Sequence, residues 1–362
     1  PSTSGRGNLS KSLLLVNKAG KEFVMRSLKK SATRFIQSVA FKDQFIENDF
    51  KNTYTENFLQ DFYTSSHPYT PFVVPNLAAA IGVYHTNPKL FYVPKQNALQ
   101  IFNADFGDEM YLIEERPMDA FLNSKSFGNP AAIVTTATVL DNLNNDDTYE
   151  VDEVSYIRTR LFDMLIGDWD RNADQWSWSE FHKDGKIIYK PIPQHRDKAF
   201  SKYDGIALHF GMNSPDLKHM QGFTKNIKNI KWFNKEPYPL DLKFLKTANA
   251  AMWNAEAHFI QENLTDATID AAFKNLPIEV QDHTMQRMKR ILKIRRDKLD
   301  KYAKEYFAVL QNTAAIVGTN KEDKFVINRL PENKTEVAVF AADKEGDKLQ
   351  YKKVFDQKTT KQ

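Results

Sequence analysis

No cysteine occurs anywhere in the 362 residues. That excludes a disulfide framework, a thiolate zinc site and a cysteine nucleophile, and it leaves the redox compartment open. Glycine is sparse, at 13 residues, which excludes a collagen-like chain. Long apolar runs are also missing. The most apolar stretch, residues 72–84, is interrupted by Pro75, Asn76 and Gly82 and is too short to cross a bilayer. No basic segment followed by an apolar one opens the chain, so no export signal is expected in it. It begins Pro-Ser-Thr-Ser-Gly and ends in a polar tail over residues 357–362, in the manner of a segment excised from something longer. Nor is there an excess of one charge. Fifty basic against 46 acidic residues leave +4, too little on so long a chain to predict a nucleic-acid partner. What remains is an ordinary globular composition, 41% hydrophobic, with length for two or three domains.

Three zones follow along the chain. The first, residues 1–117, reads as β-rich. Residues 12–17 (SLLLVN) and 22–28 (EFVMRSL) are short β-type runs joined by Lys18-Ala19-Gly20-Lys21, a hairpin signal. Residues 57–82 look mainly helical, with breaks at Pro68 and Pro75. Residues 90–93 and 110–114 read as further strands, and Glu114-Glu115-Arg116-Pro117 ends the run.

The second zone, residues 118–323, reads as helical around one β insertion. Asp147-Thr148-Tyr149-Glu150 has the form of a capping box. Behind it Val151, Val154, Ile157, Leu161 and Leu165 predict a helix with one apolar face that stops at Gly167. Further helices are predicted over 242–263, 266–275 and 280–310. The last is basic, but Asp297, Asp300 and Glu305 interleave, so a solvated face is the reading over a nucleic-acid site. The third zone, 324–362, reads as strands around Asp343-Lys344-Glu345-Gly346, a C-terminal β-hairpin or the start of a following unit.

The chemistry concentrates between the predicted helix end and a predicted hairpin. Asp168, Asp170 and Asp174 are three carboxylates in seven residues, and they cannot all be buried without a cation. The bland alternative is a capped, solvated turn. Residues 175–181 alternate as a strand, Lys183-Asp184-Gly185-Lys186 turns, and 187–192 form a second strand. That strand leads into Gln194-His195-Arg196-Asp197-Lys198-Ala199-Phe200. The order is helix, acidic loop, hairpin, acidic residue. Asp197 taken alone would be a surface charge, and His195 alone a packed histidine.

This order resembles the C-lobe core of the protein-kinase-like fold. The resemblance implies an α+β, two-lobed architecture: a small β-rich N-lobe and a larger helical C-lobe, here with the C-terminal β-hairpin added. In that fold a loop Asp positions the acceptor hydroxyl, a side chain five residues on holds a metal, and an Asp after the hairpin holds the metal that bridges the phosphates. Asp170 with Arg171 looks like the catalytic Asp-Arg pair of the lipid-kinase and HipA-like branches. Gln175 stands where the fold usually has Asn, and Asp197 takes the metal position, with Asp174 as a further acidic candidate. Residues 192–200 are similar to the WDLDxAFG stretch of spore-coat CotH-type kinases, with His195 in place of their first Asp. Residues 80–83 (AIGV) look like the helix end of that family. Residues 107–117 (GDEMYLIEERP) look like its inter-lobe hinge, which would put Glu114 and Glu115 beside the nucleotide.

Residues 160–171 (RLFDMLIGDWDR) are more similar still to the kinase-like module of Bacteroidetes-type outer-membrane proteins. Those proteins combine a metallophosphoesterase domain with a surface-antigen β-barrel. This resemblance implies a cell-envelope location with phosphoesterase and barrel domains as neighbours in the same chain. ATP with Mg²⁺ or Mn²⁺ would be the cofactors. The strand 23–26 carries Arg26 where the fold has its phosphate-binding Lys, with Lys29 and Lys30 as alternatives. The acid that would pair with that cation is not fixed by the sequence; Glu56 and Asp61 are candidates. Ser4-Gly5-Arg6-Gly7-Asn8 is a weak candidate for a phosphate-covering loop.

Three functional classes compete. The departures at Arg26, Gln175 and His195 favour a degenerate, pseudokinase-type ATP- and metal-binding scaffold. The first alternative is an active phosphotransferase. A metallophosphoesterase is disfavoured, because Gly167-Asp168-Trp169-Asp170-Arg171 is one residue short of that family's motif and its partner motifs are missing.

Overall fold

A computed structural model describes residues 2–3, 11–29, 67–202, 218–342 and 346–361. The N-terminal strands β1 (Ser2–Thr3), β2 (Ser12–Val16), β3 (Glu22–Ser27), β4 (Lys89–Val93) and β5 (Glu109–Glu115) form one sheet, ordered β1-β2-β3-β5-β4. Every adjacent pair is antiparallel. The turn between β2 and β3 closes on Asn17, whose Oδ1 accepts the Ala19 and Lys21 amides, each at 2.9 Å. Strand periodicity then sorts the side chains. Leu13, Met25 and Tyr111 face a small core with Val93, Leu99 and Phe106. The alternate positions Arg26, Leu112 and Glu114 face the larger lobe.

That lobe is helical around a second sheet. Strands β6 (Ala132–Thr135), β7 (Tyr149–Val151), β8 (Trp176–Lys183) and β9 (Lys186–Pro193) run in the order β6-β8-β9-β7. The hairpin β8–β9 is antiparallel, and β7 lies parallel to β9. Helix α1 (Val74–Ala80) precedes β4 in the chain, yet Val74, Leu77 and Ala78 pack into the large core. Around it lie α2 (Thr136–Asn145), α3 (Glu153–Ile166), α4 (Tyr238–Phe244), α5 (Ala250–Asn263), α6 (Asp266–Lys274), α7 (His283–Arg296) and α8 (Leu299–Gln311). No helix among the described residues is long and apolar enough to cross a membrane.

Several expectations need correction. Helix α3 starts two residues later than predicted, because β-branched Val151 pairs with Tyr189 in the β7–β9 ladder. Its N-cap is Asp152, which accepts the Ser155 amide at 2.9 Å. Nor is it one-faced: Tyr156, Ile157 and every residue from Thr159 to Ile166 are buried, and Val154 is exposed. The span 242–263 is two helices, because Asn249 caps a new one through the Met252 amide at 3.1 Å. The span 280–310 also splits, at Asp297 and Lys298 between α7 and α8. Finally, the C-terminal zone is a three-stranded antiparallel sheet and not a hairpin: β10 (Asp323–Leu330), β11 (Lys334–Ala341) and β12 (Lys348–Asp356).

Candidate functional site

The site begins where α3 ends. Gly167 takes φ 80° and closes the helix by donating to the Asp163 carbonyl, a left-handed cap that glycine reaches without steric cost. The next turn is buried and charged. Asp168 meets Arg171 Nη2 at 2.9 Å and Arg196 Nη1 at 3.2 Å, and all three are buried or nearly so. Arg196 also bonds Asp163. The cations demanded by the acidic loop are therefore the protein's own. Burial still pushes the Asp168 carboxyl up to about 6 against the pull of both arginines.

Arg171 is fully buried, and besides Asp168 it donates to the Gln194 carbonyl at 2.8 Å and the His195 carbonyl at 3.1 Å. It ties the loop to the segment after β9 and does not itself line the inter-lobe cavity. Asp170 is partly exposed and accepts from Asn172 Nδ2 at 3.1 Å. Burial raises its pKa, the Lys198 and Arg171 charges oppose this, and Asp197 adds to the rise. Asp170 and Asp197 thus feel each other's charge.

The lobes meet over a cavity of about 70 Å³. Arg26 and Glu114 line it from the small lobe, and Asp197 and Arg196 from the large one. Arg26 pairs with Glu114 and also contacts His195 Nδ1. A guanidinium only donates, so this contact calls on the Nδ1 lone pair of His195. His195 is held at φ 54° and ψ 57°, a left-handed conformation rare for side-chain-bearing residues. Glu114 is buried and also accepts Thr86 Oγ1 at 2.6 Å. Burial lowers the Arg26 pKa, and the charge of Asp197 opposes the fall.

The remaining candidates fall on and off this site. Gln175 Oε1 is buried with no hydrogen-bond partner, while its backbone carbonyl accepts the Gln194 amide at 2.9 Å. That puts an unsatisfied oxygen next to the chain that leads into His195. Lys29 is exposed at the end of β3, with its amide on Ser27 Oγ at 3.1 Å. Glu115 accepts from the Asn87 amide at 2.7 Å and does not line the cavity. Asp174 is also brought elsewhere: the turn capped by Asn172 leaves it in solvent. The three loop carboxylates therefore diverge, and no group of three His, Asp or Glu that could hold a metal occurs among the described residues. Lys30, Glu56, Asp61 and residues 4–8 lie outside the described residues. Sequence reasoning missed Glu114 as the partner of Arg26. It also missed Lys198, a buried cation beside Trp169 whose charge acts on Asp170.

Taken in chain order, the antiparallel small lobe, hinge strand, central helix, acidic loop and hairpin have the outline of a kinase-like two-lobed fold. Two solved structures are similar over most of the chain. One is the Helicobacter pylori proinflammatory kinase CtkA, at 11% identity and TM-score 0.38, covering 85% of this chain and 96% of that one. The other is HipA of Shewanella oneidensis MR-1, solved in a toxin–antitoxin complex with HipB and operator DNA. It has 13% identity and TM-score 0.35, covering 84% of this chain and 67% of that one. No protein-family model matches the chain. No curated protein matches it either.

Proposed function

We propose that this chain is a nucleotide-binding module of kinase-like fold whose metal site is degenerate, and that it serves as a scaffold within a larger cell-envelope protein. One observation carries the reading: Arg26 and Asp197 face the same inter-lobe cavity from opposite lobes, with Arg26 engaged by Glu114 and His195. A phosphate chain needs a cation, and its Mg²⁺ or Mn²⁺ needs oxygen ligands, only one or two of them from protein carboxylates. Arg26 would meet the phosphates, and Asp197 with the unsatisfied Gln175 Oε1 would meet the metal. Bound there, the metal would supply charge neutralisation. The cavity of about 70 Å³ is well short of the roughly 300 Å³ of a small-molecule site, so a nucleotide binds only after Arg26 leaves His195 and the lobes part. The resemblance over residues 160–171 supports the cell-envelope context. The active phosphotransferase stays as a second reading because Asp170, partly exposed, is acted on by the charges of both Lys198 and Asp197.

The test is calorimetric titration with ATP at fixed Mg²⁺. Wild type should bind weakly. His195→Gly removes the ring from Arg26 and suits the left-handed backbone, so it should bind roughly tenfold more tightly, an effect of about 1.4 kcal/mol. An aspartate at the same position is the poorer choice, since it would place a new carboxylate against Arg26. Asp197→Asn in the His195→Gly background should abolish the Mg²⁺-dependent part of the gain. Tight Mg-ATP binding by wild type, indifferent to both changes, would overturn the reading. Steady ATP turnover lost in Asp170→Asn would favour the phosphotransferase.

A further inference from the structure

A second cavity, of about 350 Å³, lies where the C-terminal sheet meets the start of α3, far along the chain from the inter-lobe cleft. Its size is within the range that takes small ligands. Phe244, Val339 and Tyr351 give it an apolar side. Six carboxylates and two lysines line the rest. Most of these charges are engaged by the protein itself. Glu153 accepts the Thr247 amide at 2.8 and 3.1 Å. Asp146 pairs with Lys321 at 2.9 Å, Asp152 with Lys190 at 3.2 Å, and Lys186 donates to the Asp147 carbonyl at 2.7 Å.

Glu150 has only Lys186, at 3.8 Å, and three groups have no ion pair among the described residues. The Asp147 carboxylate has no ion pair among the described residues, and neither has Lys246, which lies 5.8 Å from the Tyr351 ring centre. Asp323 Oδ1 is buried and accepts no hydrogen bond, while its other oxygen takes Thr319 Oγ1 at 3.2 Å. The three groups sense one another across the open space. The Asp147 carboxyl is raised by burial and then by the charge of Asp323. Burial lowers the Lys246 ammonium, and Asp147, Glu153 and Asp323 oppose the fall. Two carboxylates and a lysine around a cavity, charged but not in contact, match a ligand that carries both signs.

We infer that this cavity binds a free basic amino acid, with an ammonium group at Asp147 and Asp323 and its carboxylate at Lys246. The aliphatic part would lie along Phe244 and Tyr351. A second ammonium has Glu150, which lines the same wall and has Lys186 only at 3.8 Å, so the wall favours a basic over a neutral or acidic side chain.

The whole protein, titrated calorimetrically with L-lysine, 1,5-diaminopentane and L-glutamate, tests this. L-Lysine should bind saturably, 1,5-diaminopentane about tenfold more weakly for want of the carboxylate, and L-glutamate not at all. Lys246→Met should bring L-lysine down to the diamine level and leave the diamine unchanged. Asp147→Asn should weaken both amines, with each variant first shown to melt as wild type does. No saturable heat from L-lysine with folded wild type overturns the proposal. So does a diamine that binds as tightly as L-lysine, or lysine binding that neither substitution alters. None of these titrations contains nucleotide, so their outcome is separate from that at the cleft.

Discussion

At the scale of single residues, Asp168 shows burial outweighing attraction. Two arginines contact it, yet its carboxyl rises from the ordinary 3.8 to about 6, with burial as the largest cause. A raised folded pKa means that the folded protein holds the proton more tightly than the unfolded chain does. The resulting stabilisation is fully present below about pH 4 and is lost as pH rises through about 6. At about 1.36 kcal/mol per unit, wild type should lose on the order of 1–3 kcal/mol over that window on this account. In Asp168→Asn the component should vanish. Urea unfolding of both proteins at pH 4.5, 5.5 and 7 measures the difference, in which the other titrating groups cancel; parallel curves would refute it. The three loop carboxylates were expected to need a cation if buried together; only Asp168 is buried, and its cations come from the protein. Arg171 and Arg196 stand in the adjoining segments. The Glu114–Arg26 pair was hidden. It exists only because β3 and β5 pair in a register that sets Val24 opposite Glu114 and Arg26 opposite Leu112, and no local pattern encodes that register.

At the scale of elements, helix ends were clearer than helix starts. Gly167 after an apolar run announced the stop of α3, and the structure confirms a left-handed residue there. The start was misplaced because Val151 fits a helical period and a strand equally well, and the parallel ladder to β9 decides it. The two ends also differ in what they cost to change. Asp152→Ala removes one capping bond and should destabilise by about 1 kcal/mol. Gly167→Ala must hold a side chain at φ 80°, with its Cβ 3.0 Å from Phe223 Cδ2 and 3.4 Å from Arg295 Nη1. Left-handed strain alone is about 1–2 kcal/mol. Because Phe223 and Arg295 are both buried, crowding adds to it, and Gly167→Ala should be clearly the worse of the two. Denaturant midpoints of the two variants check the order. Equal midpoints would mean that the loop behind α3 yields freely, and Asp170 would then lack a fixed place.

At the scale of the whole molecule, the lobes join through the hinge at Arg116 and through contacts such as Phe23 on Phe121, with ring centres 5.5 Å apart. The C-terminal sheet is a third body laid against the helical lobe. Its outer strand was not readable as a separate unit because β10 presents no buried face: Phe325 and Ile327 are exposed, so the usual alternation carries no signal. Docking buries Val339 and Tyr351 and adds hydrogen bonds. The Tyr351 hydroxyl accepts the Val317 amide at 2.7 Å and donates to the Val317 carbonyl at 2.8 Å, and Lys353 reaches the Leu245 carbonyl at 3.2 Å. Tyr351→Phe leaves both Val317 groups without that partner; as they are half-buried, the cost should be about 1 kcal/mol, the low end for unpaired polar groups. The penalty falls on the segment joining α8 to β10, where Val317 lies, and not on the buried core of Tyr306, Trp253 and Ile260. Limited proteolysis of Tyr351→Phe should therefore cut between residues 312 and 323 many times faster than in wild type. The fragment containing α3 to α8 should persist, and the main thermal transition should shift little. Cutting at the wild-type rate would show that Lys353 and the Lys321–Asp146 pair hold the sheet without Tyr351. A collapse of the main transition would show instead that sheet and helical lobe unfold as one.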